Sequence, residues 1–257
     1  MRIARHEVSE ERLRAATENF AERIADLVDM QQNVEFDHAF GWEMVGMDLL
    51  DYAGARSVAD PAIDDDTWKA LLSAAEANLG AVYLAGAPKG APASVTITYT
   101  GTGVSYNGVP ADAGTLHVSD WLKALYLWII IGRQDHKRGA FLFIGNRLPE
   151  DAGFAHALAD YVFGERALVA KYLEDAAGDA ASALRALTDG AQDAFWDAIA
   201  GMLTAYRSAL SDDPRPRTLL PLEPLALTTL AVRGAGWEQR IESDYLPVRL
   251  TSGKAAQ

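Results

Sequence analysis

Five histidines, His6, His38, His117, His136 and His156, and 36 acidic side chains are the groups in this 257-residue chain that could hold a metal or move a proton. The histidines are scattered, with no His-Glu-x-x-His pattern and no short-range ligand spacing, so no metal site is expected. Cysteine is absent, which excludes disulfides, thiolate ligands and cysteine nucleophiles. The stretch Gly103-Val-Ser105-Tyr-Asn-Gly108 has asparagine where a nucleophile elbow needs its second glycine, and it falls on a predicted hairpin. Ser105 therefore reads as an exposed hydroxyl. Asp135-His136 could orient an imidazole for base work, but it sits in the charged break Arg133 to Arg138 and reads as a solvated loop. Neither a P-loop nor a dinucleotide fingerprint is present. No catalytic residue and no cofactor is expected.

The remaining chemistry is charge. Asp60 and Asp64, Asp65 and Asp66 cluster with no cation between Arg56 and Lys69. Such carboxylates suit a helix N-terminus, where they face the positive end of the dipole, or contact with a partner. Hard-cation binding is the third use, although the EF-hand spacing is missing. With 36 acidic against 23 basic side chains the net charge is −13. That balance argues against binding nucleic acid or an anionic membrane and suits a basic partner. The one long apolar run, Trp121 to Ile131 with only Lys123 interrupting it, is about half of the ~20 residues a bilayer span needs. Met1 to Val8 shows no signal-peptide pattern, so the cytoplasm is the expected location.

The elements that must position these groups read as helices. Ser9 with Glu10 and Glu11 starts a first helix, and Leu13, Ala16, Phe20, Ile24 and Leu27 carry it to about Met30. Phe36, Phe40, Met44, Met47 and Leu50 form the apolar stripe of a second, which ends near Gly54. Asp64 to Asp66 start a third, through Trp68, Leu72 and Leu79 to Gly86 and Pro88. Alternating Val95, Ile97 and Tyr99, followed by Gly101-Thr-Gly103, mark a small β-hairpin insertion around residues 94–109. Ser119 or Asp120 caps a helix to Arg133 that is apolar all round and so belongs at the centre of the fold. Helices follow over residues 150–163, 165–176, 179–188 and 191–210, and a last one runs from Leu222 to Val232, with Pro221 or Pro224 in its first turn. An all-α fold, one domain over residues 1–257, is predicted.

Candidates for partner contact are the acids around the second helix, Glu35, Asp37 and Glu43, and the cluster Asp64, Asp65 and Asp66. Two tryptophans join them. Trp196 points about 100° from its neighbour Phe195 on a helix, so one of that pair should be less buried, and Trp42 stands in the same relation to the Phe40/Met44 stripe.

The most particular stretch lies near the end: Pro216-Arg-Thr-Leu-Leu-Pro-Leu-Glu-Pro-Leu-Ala-Leu227, then Gly236-Trp-Glu238 and Tyr245-Leu-Pro247. It resembles the C-terminal signature of the immunity protein 49 family of bacterial polymorphic toxin systems. Arg5-His-Glu-Val8 and the acidic helix start before Trp68 are similar to that family in placement. The resemblance implies an α-helical protein encoded beside a toxin gene, without catalytic residues. Such a protein protects its producer by stoichiometric binding of the cognate toxin. A basic toxin, a nuclease first of all, is the partner that the charge suits. An α-helical enzyme with a site assembled only in three dimensions, or a scaffold for a partner that is not a toxin, are the competing readings. The oligomeric state is left open.

Overall fold

The computed structural model describes residues 1–33, 37–110, 112–164 and 166–253, and the candidate Glu35 and the stripe residue Phe36 lie outside them. Ser9 caps α1 (Glu10–Thr17), its Oγ accepting the Arg12 N–H at 3.4 Å. The single helix expected to Met30 is interrupted at Asn19, which takes a left-handed conformation (φ 48°) ahead of α2 (Phe20–Met30). Arg23 makes the break tolerable. Its guanidinium donates to the carbonyls of Glu18 (2.6 Å) and Ala16 (2.8 Å), which would otherwise end α1 unsatisfied, and its Nε lies 3.1 Å from Asp48.

The third helix, α3 (His38–Ala59), runs straight through Gly54 instead of ending there. The reason is packing: a Cβ at Gly54 would overlap the Pro216 carbonyl oxygen, so the missing side chain admits another stretch of backbone. Asp51 fixes the same contact by accepting the Arg217 N–H at 2.9 Å. Next, α4 (Asp65–Gly86) is capped by Asp64, whose Oδ1 accepts the Thr67 N–H at 2.8 Å. The hairpin of β1 (Ala93–Ile97) and β2 (Thr102–Tyr106) is antiparallel, with Val95 opposite Val104. Gly101 turns it at φ 73°, and Val95 packs on Gly80 of α4.

The all-apolar helix is α5 (Val118–Ile131), and every residue from Ala124 to Ile131 is buried. Its cap differs from the expectation. His117 precedes the helix with no side-chain cap bond, and Ser119 and Asp120 lie inside the first turn. The His117 carbonyl accepts from Asp120 and Trp121, both at 3.2 Å, which starts the helix earlier than the hydroxyl and carboxylate suggest.

Five helices follow: α6 (Arg138–Gly145), α7 (Gly153–Phe163), α8 (Arg166–Leu173), α9 (Asp179–Asp189) and α10 (Gln192–Ser208). A 3-10 turn at Pro216–Leu219 then leads to α11 (Leu222–Thr229), which has Pro221 before it and Pro224 in its first turn, where a missing N–H costs no helical bond. A π-helical turn at Leu230–Gly234 and α12 (Val248–Ser252), which the sequence pattern did not announce, complete the described chain. The fold is all-α with one hairpin.

Packing follows from these lengths. α3 lies on α4, α4 on α5, α5 on α11, α9 on α10 and α7 on α8, and the buried apolar side chains form one contiguous cluster. Each large side chain fully buried there, such as Trp121, Phe141 or Leu125, stabilises the fold by about 1.5–3 kcal/mol. Among the described residues no helix is long and apolar enough to cross a membrane.

Candidate functional site

The stripe expected on α3 holds at Leu50, which is buried, but fails in the first turns of the helix. Phe40 and Met44, placed on the buried face, are 54% and 44% exposed, whereas Trp42 is 0% exposed. The buried face is Ala39, Trp42, Val45, Leu49 and Ala53, a second run at helical spacing whose small residues let α4 approach closely. The Trp42 indole N–H donates to the Tyr106 hydroxyl at 2.8 Å, so this side chain ties α3 to the hairpin and offers no surface to a partner.

Beside Phe40 a groove of about 540 Å³ opens between α3, α4 and the segment leading into α5. One wall is the N-terminus of α3. Asp37 caps that helix from a left-handed conformation (φ 49°), its Oδ1 accepting the Phe40 N–H at 3.2 Å. The other wall is stitched to the first by two backbone bonds, Asp37 N–H to Asp112 carbonyl at 3.0 Å and Ala39 N–H to Ala113 carbonyl at 2.8 Å. Gly114 permits this approach: its φ is 137°, and a Cβ there would come within 2.6 Å of the Ala39 Cβ. The apolar lining includes Ala81, Val82 and Leu116.

The rim is acidic. Asp37, Glu43, Asp112 and Asp120 all border the groove. Lys123 pairs with Glu43 and stands 3.8 Å from Asp120, which offsets one of the two negative charges on that side. Asp37 and Asp112 form no ion pair among the described residues. Asp37 and Glu43 are thus brought to one place, and Asp112 and Asp120 join them, although the sequence pattern alone gave no reason to choose the last two.

The Asp64 to Asp66 cluster lies elsewhere, and each carboxylate there has its own structural partner. Asp64 caps α4 and pairs with Arg56, and Asp65 pairs with Arg249. Asp66 accepts from the hydroxyls of Tyr52 and, at 3.1 Å, Tyr99. Burial alone would raise the Asp64 carboxyl, but the hydrogen bonds from Thr67 and Arg56 outweigh it and hold the group below the usual carboxylate range. The cation missing from the local sequence is supplied by Arg56 one helix back and by Arg249 from the far end of the chain.

Trp196 also departs from the expectation, since both it (4% exposed) and Phe195 (0%) are buried. The rule that one of two adjacent helical residues faces outward assumes a single covered face. Here α10 is covered by α9 and α11, and Trp237 of the returning tail meets the Phe195 ring edge-on at 5.4 Å.

A polar cluster joins the two ends of the chain. Arg5 donates to the Ser57 hydroxyl at 3.0 Å, and His6 lies between the Tyr245 hydroxyl (Nδ1, 2.7 Å) and Thr218 (Nε2, 2.9 Å). Tyr206 donates to the Thr218 carbonyl at 3.0 Å. These groups satisfy one another inside the fold. Of the other histidines, His38 is buried against Tyr106, His117 borders the groove, His136 is exposed, and His156 lies 3.0 Å from the Pro149 carbonyl. Among the described residues no three His, Asp or Glu side chains are grouped to hold a metal ion.

Residues 180–250 match a family model described as Immunity protein 49. The match covers just over a quarter of the chain, from α9 through α10 and α11 to α12, and includes the proline-rich and Gly-Trp-Glu signature residues. It supports the resemblance seen in the sequence, and the family's name supports an immunity role with a toxin partner in general. No curated protein and no solved structure matches the chain.

Proposed function

We propose that this chain is an immunity protein that neutralises one cognate toxin by forming a stoichiometric complex with it, without chemical turnover. The observation that carries the reading is the family match over residues 180–250. The geometry agrees with it: the polar groups of the His6 cluster and of the Asp64 to Asp66 cluster are engaged in holding the fold together, which is what a rigid binding surface requires. A preformed surface loses little entropy on association, and complexes of this general kind reach Kd values down to about 10⁻¹³ M.

The partner is a basic protein, and a nuclease is the toxin class that best fits. Nucleases carry positive charge because their substrate is a polyanion, and a chain of net charge −13 attracts such a surface. Steered association of this sort proceeds at up to about 10⁸–10⁹ M⁻¹s⁻¹ at low salt. Co-expression with the product of the adjacent reading frame tests the reading. Rescue of growth together with a stable equimolar complex is the expected result. Rescue that persists when this chain is present at far below one copy per toxin would overturn it in favour of catalytic detoxification.

A further inference from the structure

We infer that the groove beside Phe40 is the surface that receives the partner, and that its occupant is a toxin segment presenting a lysine or arginine next to an apolar side chain. The inference rests on the immunity reading and names the contact surface. Three observations carry it. First, Phe40 and Met44 are one turn apart on α3 and both are exposed, whereas Trp42, Leu49, Leu50 and Tyr52 of the same helix are buried. Aromatic side chains and methionine in such positions are the groups enriched at the centres of protein interfaces. Second, Phe40 borders a groove whose lining includes the apolar Ala81, Val82, Ala85 and Leu116 beside the polar Asn78 and Thr115, so an apolar side chain inserted there would be withdrawn from water.

Third, the charge is of one sign and partly unspent. Asp37 and Asp112 are held together by the bond from the Asp37 N–H to the Asp112 carbonyl, and neither side chain is ion-paired among the described residues. Both carboxylates border the groove, so a cation seated in it would be attracted by each. Lys123 cannot serve, because it is committed to Glu43. By contrast, the hollow at Trp237 and Glu238 is bordered by Arg240, whose charge is answered by Asp193. That hollow also carries Glu238 and Glu242, and of the two it is the α3 groove whose charged lining is acidic throughout.

The test uses the full chain and an inactive variant of the toxin encoded by the adjacent reading frame, with affinity measured by titration calorimetry. Three groove variants are compared: Phe40→Ala combined with Met44→Ala, Asp112→Lys, and Asp37→Asn, which keeps an N-cap while removing the charge. Charge reversal at the exposed Glu174 and Asp175 serves as the control. The apolar pair and Asp112→Lys are each expected to weaken binding at least about tenfold, and Asp37→Asn severalfold, with thermal melting of each variant near that of the parent. The control is expected to stay within about threefold. If the parent binds and the groove variants bind equally well, or if the control loses as much as they do, the groove assignment is wrong while the immunity reading stands. If the parent itself does not bind, the immunity reading fails and the groove falls with it. A parent that is a dimer in solution, dissociated by the Phe40/Met44 change, would assign the face to a second copy and also overturn the inference.

Discussion

His6 and Tyr245, 239 residues apart in sequence, are joined by a 2.7 Å contact between the imidazole Nδ1 and the phenolic oxygen. The surrounding bonds fix which atom carries each proton. The Tyr245 oxygen already accepts the His6 backbone N–H at 3.2 Å, so its own hydrogen is free to point at Nδ1. The imidazole proton then resides on Nε2 and is donated to Thr218 Oγ1, whose hydrogen goes on to the Arg215 carbonyl at 2.6 Å. This relay locks the first residues of the chain to the 3-10 turn and to the tail.

Tyr245→Phe removes the oxygen that serves both the backbone N–H and the ring of His6. Leaving a partly buried donor and acceptor unsatisfied costs about 1–3 kcal/mol. Urea unfolding should show a lower midpoint with an unchanged slope, and a midpoint equal to the parent's would show that the relay adds nothing to stability.

The same relay gives the fold an acid-sensitive joint. Burial, then the positive charges of Arg5 and Arg207, push the His6 imidazole below its ordinary value, so the folded state favours the neutral ring. The contribution is therefore fully present above the ordinary value near 6.5 and is lost as the pH falls through it toward the depressed one. Unfolding free energies measured from pH 7.5 down to 5 should decline more steeply for the parent than for His6→Gln, and parallel curves would refute the assignment.

Gly54→Ala places a methyl group where the Pro216 carbonyl lies. Either α3 or the 3-10 turn must move, at a cost of about 1–3 kcal/mol. Melting should occur at lower temperature, and the Arg217 amide, held by Asp51, should exchange its hydrogen faster than in the parent. Unaltered exchange at that amide would mean that the two backbones are not in contact.

Arg233 is a half-buried cation whose guanidinium donates to the carbonyls of Leu250 (2.6 Å) and Arg249 (3.2 Å) at the end of α12, and it also lies against Gly132, which ends α5. Cations are favoured at helix C-termini, and these bonds to a charged donor contribute about 1.5–3 kcal/mol. Arg233→Met should fray the tail and raise its protease susceptibility before global unfolding. Equal cleavage rates for parent and variant would contradict this role.

Where a signal is carried by neighbouring residues alone, the sequence pattern was enough to find the element. The stripe of α10, the Asp64 cap of α4 and the Val95 alternation of the hairpin are cases in point. The failures share a cause. α3 is enclosed by α4, α1 and the Pro216–Leu219 turn, so Phe40 and Met44 of the expected stripe face outward while Trp42, Val45 and Leu49, with the small Ala39 and Ala53, form the packed face. Trp196 is buried for a related reason, because α10 is covered by both α9 and α11. The break at Asn19 depends on Arg23 meeting carbonyls behind it, and the groove depends on Asp112 meeting Asp37. Both are contacts between segments, invisible to any local periodicity.

Titrating the purified toxin's activity with this chain addresses neutralisation by binding most directly. If the molecule acts as a stoichiometric mould, activity should fall linearly and reach its floor at one equivalent, with the break at the same ratio after prolonged incubation. Complete inactivation by a small fraction of an equivalent, growing with time, would contradict the account and make the chain a catalyst.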